Sequence, residues 1–418
     1  MRKNNNLRYV DTRSKRSVRR NFKVNKSVVI KALVLLIFLF FPIIISGGLI
    51  AFASEGETEL TENIESIIGG LDLTQLQTYL DKYGNEYIYS FSQSAKGLIE
   101  FLINGDLGVN YNDYLQKLIS SMFKGIGNLL PAFSQVIAIT LLCAITTDAE
   151  GGIISKSTAT VIRLACMSII LLIIASMLVG IISSTVGCVN AISRQVDIIT
   201  PILITLTVLT GGSGSGAIYT PCATFLGQGA IYLVSGVIIP LTLSVIVLNF
   251  MSKINPDMSF SGITSLLKSV MKWIIGITVA VFGLFITVQS TSTSLFNGIF
   301  FKVTKYLVGN SVPIVGNFLS SGVDMIVLSG SLVKSSVGLT GIILLISSVI
   351  EPVITLIAFS LMLKISGAIA QSIGEKSSFS LFSDLSKDVE YMIAGLLIVA
   401  FMYLLTIMLI INSTYAFI

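Results

Sequence analysis

Glu351 is the residue in this chain whose type and setting most invite chemistry. It stands near the middle of Gly338 to Leu363, a 26-residue apolar run, with Pro352 immediately after it. A charge at the centre of a bilayer costs about 2.5–3.5 kcal/mol on insertion scales, so such a carboxylate ordinarily faces a bundle interior or an aqueous cavity. There it can hold a proton or a cation. The competing reading makes Glu351-Pro352 a corner between two half-helices that reaches the interface. Lys364 follows 13 residues later, about 20 Å along a helix, too far to pair with Glu351 unless the helix breaks.

A second set of polar groups lies upstream. From Ile314 the apolar residues Val315, Phe318, Leu319, Val323, Ile326 and Val327 fall at helical spacing, and the other face carries Asn317, Ser320, Ser321 and Asp324. Gly309, Asn310, Pro313 and Gly316 punctuate the start. The pattern predicts a broken or re-entrant entry, tolerated at membrane depth only where protein or a water-filled cavity satisfies the backbone. An amphipathic helix lying in the interface fits it as well. Gln289 opens a third set, the hydroxyl string Ser290 to Ser294, which reads either as a pore lining or as a solvated helix end.

Other chemistry is excluded by composition. The chain has no histidine, which removes the commonest general base and metal ligand together. Its cysteines, Cys143, Cys166, Cys188 and Cys222, are dispersed through apolar segments without CxxC spacing, so buried thiols are expected rather than a zinc site or a disulfide framework. The glycine run from Gly211 to Gly216 is followed by no Lys-Ser/Thr and preceded by no strand, so it is not a phosphate loop. No set of nucleophile, base and oxyanion donors is visible. Neither an enzyme activity nor a cofactor is expected.

The elements that must position these groups are helices in a membrane. Hydrophobic residues make up 53% of the chain and charged residues 12%, and several apolar runs are long enough to span. The fold class is therefore all-α: a polytopic helical membrane protein with an N-terminal signal, a small helical extracytoplasmic segment and six to eight membrane segments, some broken or re-entrant. Residues 1–53 read as a basic tail and signal peptide, or an uncleaved anchor, with Ala51-Phe52-Ala53 offering small residues before the cleavage point. Residues 54–128 form the extracytoplasmic segment and 129–418 the transmembrane domain.

Charge orients these parts. Met1 to Lys26 holds ten Lys/Arg against one acid, and Ser54 to Leu129 holds eleven acids against four lysines. The basic tail is expected inside and the acidic segment outside, a reading preferred to nucleic-acid binding. Within the acidic segment, Asp72 to Tyr89 and Ser90 to Ile103 read as helices that pack on the membrane domain or on a partner, and Asn112 as the cap of the next. Beyond it, Leu129 to Thr147, Val161 to Ile182, Trp273 to Ser290, Gly338 to Leu363 and Tyr391 to Asn412 read as spans, with polar loops at Lys253 to Lys272 and Lys364 to Glu390. Ala217 to Phe250, with Pro221 and Pro240, reads as a broken helix. Ile198 to Leu209 is too short to span alone. Counted as a crossing it puts the lysines of 253–272 outside; counted as re-entrant it moves Lys302 and Lys305 out. Small residues along the spans, including Gly180, Gly227, Gly236 and Gly395, suit close helix packing or self-association.

The stretch TKYLVGNSVPIVGNFLSSGVD, followed by GSLVKSSVGLTGIILL, resembles the signature region of the stage III sporulation protein AE family. Lys268 to Ser292, KSVMKWIIGITVAVFGLFITVQSTS, resembles the same family, and the likeness extends over most of the chain from about Leu71. The residues alone leave three classes open: a channel or export component, a secondary transporter or permease, and a scaffold anchoring other proteins. The resemblance selects the first. It implies a multi-pass protein of the mother-cell membrane around the forespore, acting after engulfment. Its implied partners are the other stage III sporulation A-group proteins and the forespore protein IIQ, in a trans-envelope complex.

Overall fold

The structure is a computed structural model. It describes residues 57–84, 92–103, 111–148, 155–210, 221, 224–225, 227–254, 259–285 and 315–412. Of 57–59, 111–115, 117–119, 121–122, 147–148, 156, 315–324 and 412 it describes the backbone only. All of them fall within one unit, Gly47–Ile418. The basic tail, the signal region, Gln289, Asn310, Pro313 and the glycine run at 211–216 lie outside the described residues.

Three short helices come first: α1 (Glu57–Gly69), α2 (Thr74–Tyr83) and α3 (Ala95–Ile103). Six long ones follow, α4 (Tyr111–Asp148), α5 (Lys156–Leu209), α6 (Gly227–Ile254), α7 (Ser261–Phe285), α8 (Val315–Ser372) and α9 (Lys376–Asn412). Each of the six is long and apolar enough to cross a membrane. Helix is what such sequences require in lipid, where every backbone N–H and C=O must be satisfied within the segment. The chain is thus a polytopic helical membrane protein, with six candidate crossings among the described residues.

The long helices α5, α8 and α9 pack together at the centre. Helix α4 lies against α5 and α8, where Phe133 meets Phe359 edge to face at 5.6 Å. On the other flank α6 packs on α9, and Phe282 of α7 joins Ala230, Ile398 and Met402 in an apolar cluster. The short helices pack on this bundle, α1 and α3 against α8 and α2 against α5, as expected for the acidic segment. Leu98 and Ile99 of α3 are fully buried there.

Several expected breaks are absent. One helix, α4, runs through residues 128 and 129. Helix α5 absorbs Ile198 to Leu209, so that stretch is neither a separate crossing nor a re-entrant loop. The amphipathic stretch and Gly338 to Leu363 are one 58-residue helix, α8, continuous from Val315 and through Pro352. There is no corner at Glu351. Polar loops were expected at 253–272 and 364–390, but α7 starts at Ser261, and α8 and α9 are joined by a tight turn. Gly374 makes that turn at φ 83°, with Glu375 N–H donating to Ala370 O at 2.9 Å and Gly374 N–H to Gln371 O at 3.2 Å. This is the helix-ending arrangement that favours glycine at the left-handed position. Between Gly227 and Ile254 the expected break is a π turn, Val234–Ile238. Pro240 cannot donate to the carbonyl four residues back. The wider turn carries the helix across that gap, with Ile239 N–H donating to Val234 O.

Candidate functional site

Polar groups inside an apolar bundle are the natural places to look for function, and they fall in two clusters. The first joins α2, α5 and α8. Gln195 Nε2 donates to the Tyr79 hydroxyl at 2.7 Å, to Ser348 Oγ at 2.9 Å and to Leu344 O at 3.2 Å. Ser348 Oγ donates in turn to Leu344 O at 2.9 Å, which leaves Tyr79 as the donor in its 3.4 Å contact with Ser348 Oγ. Burial pushes the pKa of the Tyr79 hydroxyl above its ordinary value, outweighing the opposing hydrogen bonds from Ser348 and Gln195. It therefore serves as a neutral donor. The Cys188 thiol donates to Ser348 O at 3.2 Å. That carbonyl is the one Pro352 leaves free, because proline has no N–H for the residue four positions back.

Tyr403 of α9 is buried at the same level. Its hydroxyl would lie 3.5 Å from a Cβ placed on Gly341, a turn before Leu344. The Tyr403 hydroxyl and Gln195 Oε1 find no hydrogen-bond partner among the described residues.

The second cluster joins α6, α7 and α9. Asp388 is fully buried, with Lys268 Nζ 2.6 Å from Oδ1 and Asn249 Nδ2 donating to Oδ2. Two residues further along α9, Glu390 pairs with Lys364 at 2.8 Å, and Lys253 donates to Ser380. Gln228 ties α6 to α5 separately, donating to Asp197 at 2.7 Å. Lys334 of α8 is also buried, at 1% exposure. Among the described residues no group of His, Cys, Asp and Glu could hold a metal ion.

Of the candidate site residues singled out in the sequence, those the structure describes all lie on α8. The Glu351 side chain is exposed on α8, while Pro352 is buried. Gly316, Asn317, Ser320, Ser321 and Asp324 lie on the opening turns of α8, described by backbone alone. Lys364, excluded as a partner of Glu351, pairs with Glu390 instead. Asp388, Lys268 and Glu390 were missed because their stretches read as loops. Helical spacing held the signal: Asp384, Lys387 and Asp388 lie between Phe382, Leu385 and Val389, which are all buried.

A family model described as stage III sporulation protein AE matches residues 93–414. The chain belongs to that family. Stage III sporulation protein AE of Bacillus subtilis (strain 168) is 24% identical over 384 residues, covering 89% of this chain and 95% of that relative. No solved structure matches. The family match takes in α3 to α9, hence the whole Asp388 cluster and the α5, α8 and α9 side of the Tyr79 cluster. Helix α2, which supplies Tyr79, precedes the matched region of the stage III sporulation protein AE family.

Proposed function

We propose that this chain is a membrane component of the channel- or secretion-like complex that connects mother cell and forespore during endospore formation, after engulfment. The observation that carries this reading is the family match over residues 93–414, on a chain with six helices able to cross a membrane. A role in sporulation follows from the family. The finer assignment places the chain in the mother-cell membrane around the forespore, beside the other stage III sporulation A-group proteins and forespore protein IIQ. Glu351 and the polar residues on the opening turns of α8 are its candidate conduit residues.

Deletion tests the reading. Vegetative growth should be intact, engulfment should complete, and forespores should then stay small or collapse, with heat-resistant spore counts falling by orders of magnitude. Equal growth defects in sporulating and non-sporulating cultures would point to a housekeeping permease. Normal spores would remove the chain from the complex altogether.

A further inference from the structure

Three side chains from other helices converge on a single turn of α8, Leu344 to Ser348, and that turn lacks its full set of helical bonds. Pro352 leaves Ser348 O without an N–H from its own helix, and Cys188 of α5 supplies a thiol donor in its place. Gln195 of α5 reaches Leu344 O and Ser348 Oγ. Tyr79 of α2 completes the set by bonding both Gln195 and Ser348. Helices bend most readily where proline interrupts the bonding ladder. Here the one donor that replaces the missing bond, the Cys188 thiol, comes from outside the helix, and Gln195 and Tyr79 brace the side chain and carbonyl beside it.

The two donor helices differ in how firmly they are placed. Helix α5 is 54 residues long and packs on α4, α8 and α9. Helix α2 has 10 residues and buries Leu76, Tyr79 and Leu80; half-buried Gln77 ties it to the start of α3, accepting from Ala95 N–H at 2.8 Å, and Asp81 is exposed. A helix that short is marginal by itself, and elements that move in switching come from the weakly held end of a structure. Tyr79 also stacks on Tyr83 at 4.9 Å, and the Arg194 guanidinium lies 5.9 Å from the Tyr83 ring. The docked position of α2 therefore rests on these polar and ring contacts together with buried Leu76 and Leu80.

We propose that the Leu344–Ser348 turn is a hinge in α8, and that α2 is its lock, with the Tyr79 hydroxyl holding the hinge closed. Withdrawal of α2 removes one acceptor of Gln195 and one donor to Ser348 in one movement. That loosens the Cys188 bond to the freed carbonyl. The inference does not depend on the conduit reading, since it concerns the movement of α8 whatever passes through the complex.

Cys188 reports the hinge directly, because its buried thiol is part of the closed arrangement. In the full chain, in native membranes, Cys143, Cys166 and Cys222 are replaced by serine and alkylation of Cys188 by a membrane-permeant maleimide is timed. Tyr79→Phe deletes only the hydroxyl and keeps the ring. It should speed Cys188 labelling about tenfold, the factor that two neutral hydrogen bonds of ordinary strength supply. A second chain retaining only Cys143, buried near the opposite end of the bundle, should show no change on the same substitution. An unchanged Cys188 rate would remove Tyr79 as the lock. Equal acceleration at Cys143 would mean general loosening and would overturn the hinge.

Discussion

Asp388 and Glu351 are both carboxylates in helices long and apolar enough to cross a membrane, yet their surroundings are opposite. Asp388 has no exposed side-chain surface and faces the Lys268 ammonium; Glu351 is exposed. Breaking a buried pair from one side costs about 3–5 kcal/mol because it strands the other charge. Lys268 keeps 21% side-chain exposure, which places this pair at the lower end. Asp388→Ala should therefore lower the amount of protein in the membrane fraction. Glu351→Gln, an exposed change, should shift stability by less than about 0.5 kcal/mol. If Glu351 serves a hydrated path, the Gln variant accumulates normally and heat-resistant spore counts fall. Wild-type counts at wild-type abundance would take Glu351 off the candidate residues. In the sequence Glu351 stood out because its neighbours are apolar. Asp388 was hidden by Asp384, Lys387 and Glu390, although burial sorts these residues by helical face.

At the scale of elements, the helical class was legible because long apolar runs leave the backbone no alternative in lipid. Where the helices join and end was not. Pro352 and Pro240 read as breaks, but in each case the surroundings make up for the missing N–H: Cys188 takes the carbonyl freed by the first, and a π turn spans the second. Gly374 was a stop signal lost in a stretch judged too polar to be helical. Glycine spacing was equally ambiguous. A Cβ on Gly395 would meet Val234 at 3.3 Å and Ile238 at 3.4 Å, whereas one on Gly180 or Gly236 meets nothing within 4 Å. Gly338 and Gly341, where α8 meets α9, are packed closely. A Cβ on Gly341 would sit 3.0 Å from Ile407 and 3.2 Å from Ile199, and one on Gly338 would run into Ile411. Gly341→Val should destabilise the purified protein by about 1–3 kcal/mol through overpacking. Gly180→Ala should leave it unchanged or raise it by up to about 1 kcal/mol through helix propensity. Thermal melts of the detergent-solubilised protein check both. Equal losses would mean that α5 also packs tightly around Gly180.

At the scale of the whole molecule, the structure decides how Ile198 to Leu209 is counted. Because that stretch belongs to α5, the chain passes along the bundle once between Lys156 and Leu209. The C-terminal ends of α4, α6 and α8 then lie at one end of the bundle. Cys143 of α4 lies beside Cys166 of α5 and within electrostatic reach of Glu375, and Lys253 reaches Ser380. Lys253, Lys268, Lys364, Lys376 and Lys387 occupy that half of the bundle, while α2 and α3 dock toward the other end, where Tyr79 meets Gln195. Positive charge gathers on the cytoplasmic side of membrane proteins, so the α8–α9 turn should face the cytoplasm and α3 the outside. Single cysteines test this in a chain whose own four cysteines are removed. Gln93→Cys, exposed just before α3, should react with a membrane-impermeant maleimide in intact cells. Ser372→Cys, exposed at the end of α8, should react only after permeabilisation. Labelling of both positions from one side would separate the two ends from the two faces of the membrane. Six crossings would then be the wrong reading of these six helices. The reverse pattern would invert the chain and place the acidic helices, with the Tyr79 lock, in the cytoplasm.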